Sequence, residues 1–358
     1  MVKKHFLYLS VWALTAVACT NDAIINLVEN SGQEIGFSTV QTRSAVFDKT
    51  KLQGTGYGFS VAAYTQGEVT SWSTFMTNPG LPATPDFMNN TQVSWSTDKW
   101  TYSPIKYWPG KIDGTNYGHV TFFALGGREL TDLTIAYNST SKVPEYTYTT
   151  PATATDQEDL VADVLFDESW SGGKKVKFNF NHILSKIGFT AKLDKDYADT
   201  ELKITKLQVE YTANKVANSG TYTFETNGTT SDAVQGDWAT GTTYLSGNSG
   251  ELQKTSPAPA ALTTSEVQQN DDTKFLMLIP QGPTTAGDLT VKLTYTIKTG
   301  TGTGETVTYP VTYQLPVATY EKGKQYIYRF TLTLNPVEFD TDLTVAAWDN
   351  PTTTDLGI

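Results

Sequence analysis

Cysteine occurs once in the 358 residues, at position 19, so neither an intramolecular disulfide nor a thiolate metal cluster can form. Histidine occurs three times, as His5, His119 and His182. None lies in an HExxH motif or beside a GxSxG serine, which leaves little basis for a zinc site or a catalytic triad. Arginine is equally scarce: Arg43, Arg128 and Arg329 are the whole set, and the net charge is −11. Nucleic-acid binding, which needs clustered Lys and Arg, is excluded on that ground. An acidic surface favours solubility outside the cell instead. Carboxylates are plentiful but include no diagnostic pair of the kind a glycosidase sets across its cleft, so the chain is not expected to be an enzyme. It is expected to have no catalytic residue, no metal site and no cofactor. Helical periodicity is also rare, with short exceptions at Asp156–Leu165 and Asp194–Asp199.

What is present begins with an export leader. Lys3 and Lys4 precede an apolar run, Phe6 to Ala18, that is too short to span a bilayer stably. The run ends in small residues before Cys19, and the polar Thr20-Asn21-Asp22 follows. This is the lipobox pattern of bacterial lipoproteins, in which the cysteine is acylated and becomes the new N-terminus. Residues 1–18 are therefore read as a signal peptide and Cys19 as the lipidation site, with the lipoprotein export machinery and the outer membrane as the precursor's partners. Two or three acyl chains would hold it there, since one chain binds only marginally. No later stretch is apolar enough for a transmembrane helix.

The rest is rich in Thr, Tyr, Val and Gly, with apolar residues at every second position, the pattern of an all-β fold. A single short strand, Ile35 to Val40, precedes the basic, loop-like site Thr42-Arg43-Ser44. Gly54, Gly56 and Gly58 form a GxGxG that lacks a preceding strand, a following helix and a P-loop lysine, so it reads as a turn. Between Phe87 and Pro109 lies a dense aromatic set. Val93/Trp95 and Trp100/Tyr102 fit a hairpin whose rings fill a core, although an exposed sugar-stacking platform has the same composition. The composition break at Ser169 to Gly173 suggests a domain boundary, giving 44–172 and 173–358 as two domains. Phe178, Phe180, His182 and Leu184 share one strand face, which predicts a half-buried His182 with hydrogen-bonded ring nitrogens. Leu289 to Ile297 and Val307 to Leu315 read as a hairpin. Near the C-terminus, Val337, Phe339, Leu343 and Val345 alternate with Glu338, Asp340, Asp342 and Thr344, a regular amphipathic strand.

Taken in order, several of these stretches resemble the fimbrillin family, the type V pilins and fimbrial lipoproteins of Bacteroidales-type bacteria. The resemblance is carried by the Cys19 lipobox, the Arg43 region, Phe87-Met88-Asn89-Asn90 and Trp100-Thr101-Tyr102-Ser103-Pro104 with Lys106-Tyr107-Trp108-Pro109. It continues through Phe178-x-Phe180-x-His182-x-Leu184-Ser185-Lys186-Ile187, Phe275 to Gln281, and Lys322-Gly323-Lys324-x-Tyr326 leading to Trp348. The resemblance implies two tandem β-sandwich domains of transthyretin-like topology. It also implies a surface fimbrium in which identical or related pilin subunits support cell adhesion and biofilm formation. In family stalk subunits a trypsin-like protease cuts after an early arginine, which here maps to Arg43 and Ser44. Residues 19–43 are then a lipidated propeptide whose strand, with Ile35, Phe37 and Thr39 on one face, is removed. A C-terminal strand of the next subunit replaces it, here carrying Val337, Phe339, Leu343 and Val345. An anchor or tip subunit, or a glycan-binding surface lipoprotein using the Trp95 to Trp108 region, are the alternatives; a host or bacterial surface receptor stays open.

Overall fold

The computed structural model describes residues 33–41, 49–78, 80–112, 114–128, 133–226, 236–254, 258–300, 304–334 and 343–348. In chain order the first strands are β1 (Phe37–Gln41), β2 (Tyr57–Gly67), β3 (Met88–Ser96), β4 (Lys99–Thr101), β5 (His119–Arg128), β6 (Thr134–Tyr137) and β7 (Pro144–Thr149). Then come β8 (Val161–Ser169), β9 (Val176–His182), β10 (Ser185–Leu193), β11 (Thr200–Tyr211), β12 (Ser219–Phe224) and β13 (Gly236–Thr240). The chain continues through β14 (Gly247–Asn248), β15 (Val267–Gln268), β16 (Leu276–Leu278), β17 (Leu289–Thr299), β18 (Thr306–Gln314), β19 (Lys324–Leu332) and β20 (Leu343–Ala347). Among the described residues, helix is confined to two single turns, Lys49–Leu52 and Trp72–Phe75. The fold is all-β, as the composition predicts. Among the described residues no helix is long and apolar enough to cross a membrane.

A seven-stranded sheet, ordered β1-β9-β8-β5-β2-β3-β4, is buried on both faces. Its alternating residues explain how. Phe59, Val61, Ala63, Phe122 and Ala124 point into one aromatic core, while Ala62, Tyr64, Phe123 and Leu125 point into another. The second core is closed by a four-stranded sheet, β13-β12-β7-β6, through Tyr146, Tyr222 and Phe224. A third core lies between the sheets β15-β10-β19-β20 and β14-β11-β17-β18. The β17–β18 hairpin pairs Leu293 with Val311 and Tyr295 with Tyr309, in the arrangement the sequence suggests.

Two sequence expectations need correction. The proposed boundary at 172/173 falls inside the seven-stranded sheet, because β9 pairs with both β8 and β1. Gly172 (φ +66) and Gly173 (φ +84) form a tight connection between neighbouring strands. The sheet β13-β12-β7-β6 likewise draws strands from both sides of that position. The stretch Asp156–Leu165, with its suggestion of helix, supplies the start of β8 instead. Leu160 to Val164 is buried throughout, and a short run covered on both faces has no period to read. Asp194–Asp199 is a turn, braced by the Tyr197 hydroxyl donating to Asp194 at 2.6 Å. The GxGxG stretch is a turn leading into a strand: Gly56 sits at φ +79, and a Cβ on Gly58 would lie 2.3 Å from the Val93 carbonyl oxygen.

Candidate functional site

The first strand and the residues leading into it are held by parts of the chain far along the sequence. On one side it runs parallel to β9, with Phe37 opposite Val176, Ser38 opposite Lys177 and Thr39 opposite Phe178. The ladder begins where Val176 N–H donates to the Gly36 carbonyl at 2.9 Å. On the other side Ile35 N–H donates to the Lys106 carbonyl at 2.9 Å, and Trp108 N–H donates to the Gln33 carbonyl at 3.0 Å.

Alternation then turns Ile35, Phe37 and Thr39 inward, where all three are buried. Phe37 stacks on Phe178 at 5.7 Å, meets Phe59 edge-on at 5.7 Å, and leans on Tyr102 at 5.2 Å. The Tyr102 hydroxyl donates to the Ile35 carbonyl at 2.8 Å, and burial pushes its pKa up to about 12, so it stays a donor. Burying Ile35 and Phe37 contributes about 1.5–3 kcal/mol each. The aromatic hairpin foreseen between Phe87 and Pro109 is the wall of this groove. Trp95 pairs with Trp100 at 5.2 Å, and Trp100, Tyr102 and Trp108 are buried, which removes them from any sugar-stacking surface. A cavity of about 250 Å³ borders β1 beside Gly36, Lys174 and Lys175.

At the other terminus, β20 pairs antiparallel with the edge of β19, with Leu343 opposite Tyr328 and Val345 opposite Tyr326. Leu343 is half-buried, Val345 is 50 % exposed, and Thr344, Ala346 and Ala347 are exposed. The next residue, Trp348, is buried. Its ring stacks on His182 at 4.0 Å with 4° between planes, and its backbone N–H donates to the Gly323 carbonyl at 2.9 Å. His182 is fully buried, deeper than its strand position suggested, with Nδ1 2.5 Å from Asp159 Oδ2. The Lys186 ammonium lies 3.8 Å from the Phe275 ring centre, and desolvation lowers its pKa to about 8 against the attraction of Asp159. Sequence reading missed this cluster. Asp159 and Lys186 are separated by strand changes that no local pattern reports.

Among the foreseen site residues, Ile35, Phe37 and Thr39 are brought together in the groove, while Leu343 and Val345 lie on β20. Cys19, Arg43, Ser44, Val337 and Phe339 lie outside the described residues.

Residues 54–348 match a family model described as fimbrillin-like. The chain belongs to the fimbrillin-like family. It is 26% identical over 383 residues to the fimbrium subunit Fim1C of Phocaeicola vulgatus, an alignment that covers 96% of each chain. Its fold is similar to that of a fimbrial protein from Bacteroides vulgatus, with a TM-score of 0.65 at 23% identity, covering 88% of this chain and 100% of that one. The fimbrillin-like family is one of fimbrial structural subunits, not of enzymes. Its setting is the cell-surface fimbrium, and its natural partners are related subunits.

Proposed function

We propose that the chain is a stalk-type fimbrial subunit that gives up its first strand on assembly. The precursor is lipidated at Cys19 and held at the outer membrane. A trypsin-like protease cuts between Arg43 and Ser44, and β1 leaves with the propeptide. One observation carries this reading: Ile35, Phe37 and Thr39 fill a groove whose walls come from later parts of the chain, and the connection to those walls contains Arg43. Loss of β1 uncovers the backbone groups of β9 and of Lys106 to Trp108 together with the apolar pocket beneath. An alternating strand satisfies both at once. That strand is the C-terminal stretch of the next subunit, with Val337, Phe339, Leu343 and Val345 on one face. Its transfer requires β20 to leave β19.

An anchor subunit would keep β1 and stay uncut. A glycan-binding surface built from Trp95 to Trp108 is disfavoured by the burial of Trp100, Tyr102 and Trp108. The test is low-dose trypsin on the full chain, with N-terminal sequencing and SDS gels. The expected outcome is a new terminus at Ser44 and SDS-resistant ladders, both absent after Arg43→Ala. Deleting 336–358 is expected to leave the cut and abolish the ladders. Cleavage without ladders, or equal ladders from the tail-deleted chain, would remove the exchange mechanism.

A further inference from the structure

We infer the register in which a second copy's tail enters the groove: residues 337–341 take the lane of residues 35–39, guided by Lys175 and Lys177. This rests on the strand-exchange reading above and specifies which strand the groove selects. The two five-residue segments, Ile35-Gly36-Phe37-Ser38-Thr39 and Val337-Glu338-Phe339-Asp340-Thr341, agree position by position on the inward face. Val337 replaces Ile35, Phe339 replaces Phe37 and Thr341 replaces Thr39, so the aromatic pocket around Phe37 receives the same ring. Pro336 falls at the position of Glu34. The two hydrogen bonds to the Lys106–Trp108 segment use Ile35 N–H and the Gln33 carbonyl, and a proline between them removes neither.

The outward face differs, and the difference has a partner. Neighbours in a parallel pair point to the same side of the sheet, so Ser38 lies beside Lys177, and Gly36 lies against the stem of Lys175. Both lysines are exposed, in a chain of net charge −11. The resident strand offers them glycine and serine; the tail offers Glu338 and Asp340 at the same spacing. A Cβ at Gly36 would meet Lys175 Cγ at 3.4 Å, an ordinary contact, and the bordering cavity is lined by Lys174 and Lys175. A glutamate at that position therefore has both room and countercharge. Exposed pairs of this kind act mainly on encounter rate and on discrimination among strands.

The experiment compares the assembly rate of the full chain, cut by an arginine-specific protease that spares lysine, with that of charge-reversed variants. Lys175→Glu with Lys177→Glu is expected to slow ladder formation about tenfold at low salt, as is Glu338→Lys with Asp340→Lys. Combining the four substitutions restores most of the rate, and high salt shrinks the differences. Reversals that leave the rate unchanged, or a combined variant no faster than either pair, would overturn this register while leaving strand exchange standing. A wild-type chain that is cut and forms no ladder would overturn the exchange and the register together.

Discussion

The two terminal strands of this fimbrillin-like subunit are attached in opposite ways. β1 pairs with β9 along one edge, the residues leading into it bond Lys106 and Trp108 on the other, and Ile35 and Phe37 are sunk into an aromatic core. Among the described residues, β20 pairs along one edge, presents exposed side chains from Thr344 to Ala347, and is pinned by Trp348 at its end and Leu343 at its start. Side-chain burial makes a strand costly to remove without breaking the chain, which is why a covalent cut suits β1. A strand resting on backbone pairing and a side chain at each end can leave intact.

Substitutions should separate the two. The largest effect is expected from Phe37→Ala, which lowers the unfolding free energy of the uncut chain by about 3–5 kcal/mol; the denaturant midpoint shifts with its slope unchanged. Trp348→Ala is expected to act locally. Losing the anchor costs about 3 kcal/mol, roughly a hundredfold in the opening equilibrium of β20, so hydrogen exchange at 344–348 quickens while the β9 amides of residues 176–180, beside β1, keep their rates. Equal loosening of both regions would break the comparison.

Lys186, beside the anchor, has a pKa lowered to about 8 in the folded chain, below its unfolded value. A lowered lysine pKa means that the neutral form is favoured in the fold, so stability should rise as pH climbs from about 8 toward 10.5 and be lost again as pH falls through 8. Lys186→Met is expected to flatten that rise, measured by denaturant melts across the range. The smallest effect is expected at Val345→Ala, within about 0.5 kcal/mol, because half of that side chain already faces water.

Much of this was legible in the sequence where a pattern is local. The alternation through Ile35, Phe37 and Thr39 predicted an inward face, and the Trp95/Trp100 hairpin was readable from its spacing. The fold class followed from the same period-two alternation. What could not be read depends on contacts distant in sequence. That β1 lies beside β9, roughly 140 residues onward, follows from how the sheets close and not from any motif. The Ser169–Gly173 break looked like a linker because glycine and serine mark hairpin turns and linkers alike. His182 reads as half-buried from its strand position alone because the partners that cover it, Asp159 and Trp348, arrive from elsewhere in the chain.

Under strand exchange, the lane beside β9 is emptied by cleavage and refilled by another copy. Hydrogen exchange at the β9 amides, followed through uncut chain, cut monomer and polymer, tests it most directly. Protection is expected in the uncut chain, with loss in the cut monomer and recovery in the polymer that is absent when 336–358 is deleted. Protection that persists in the cut monomer, or that never returns in the polymer, would contradict it.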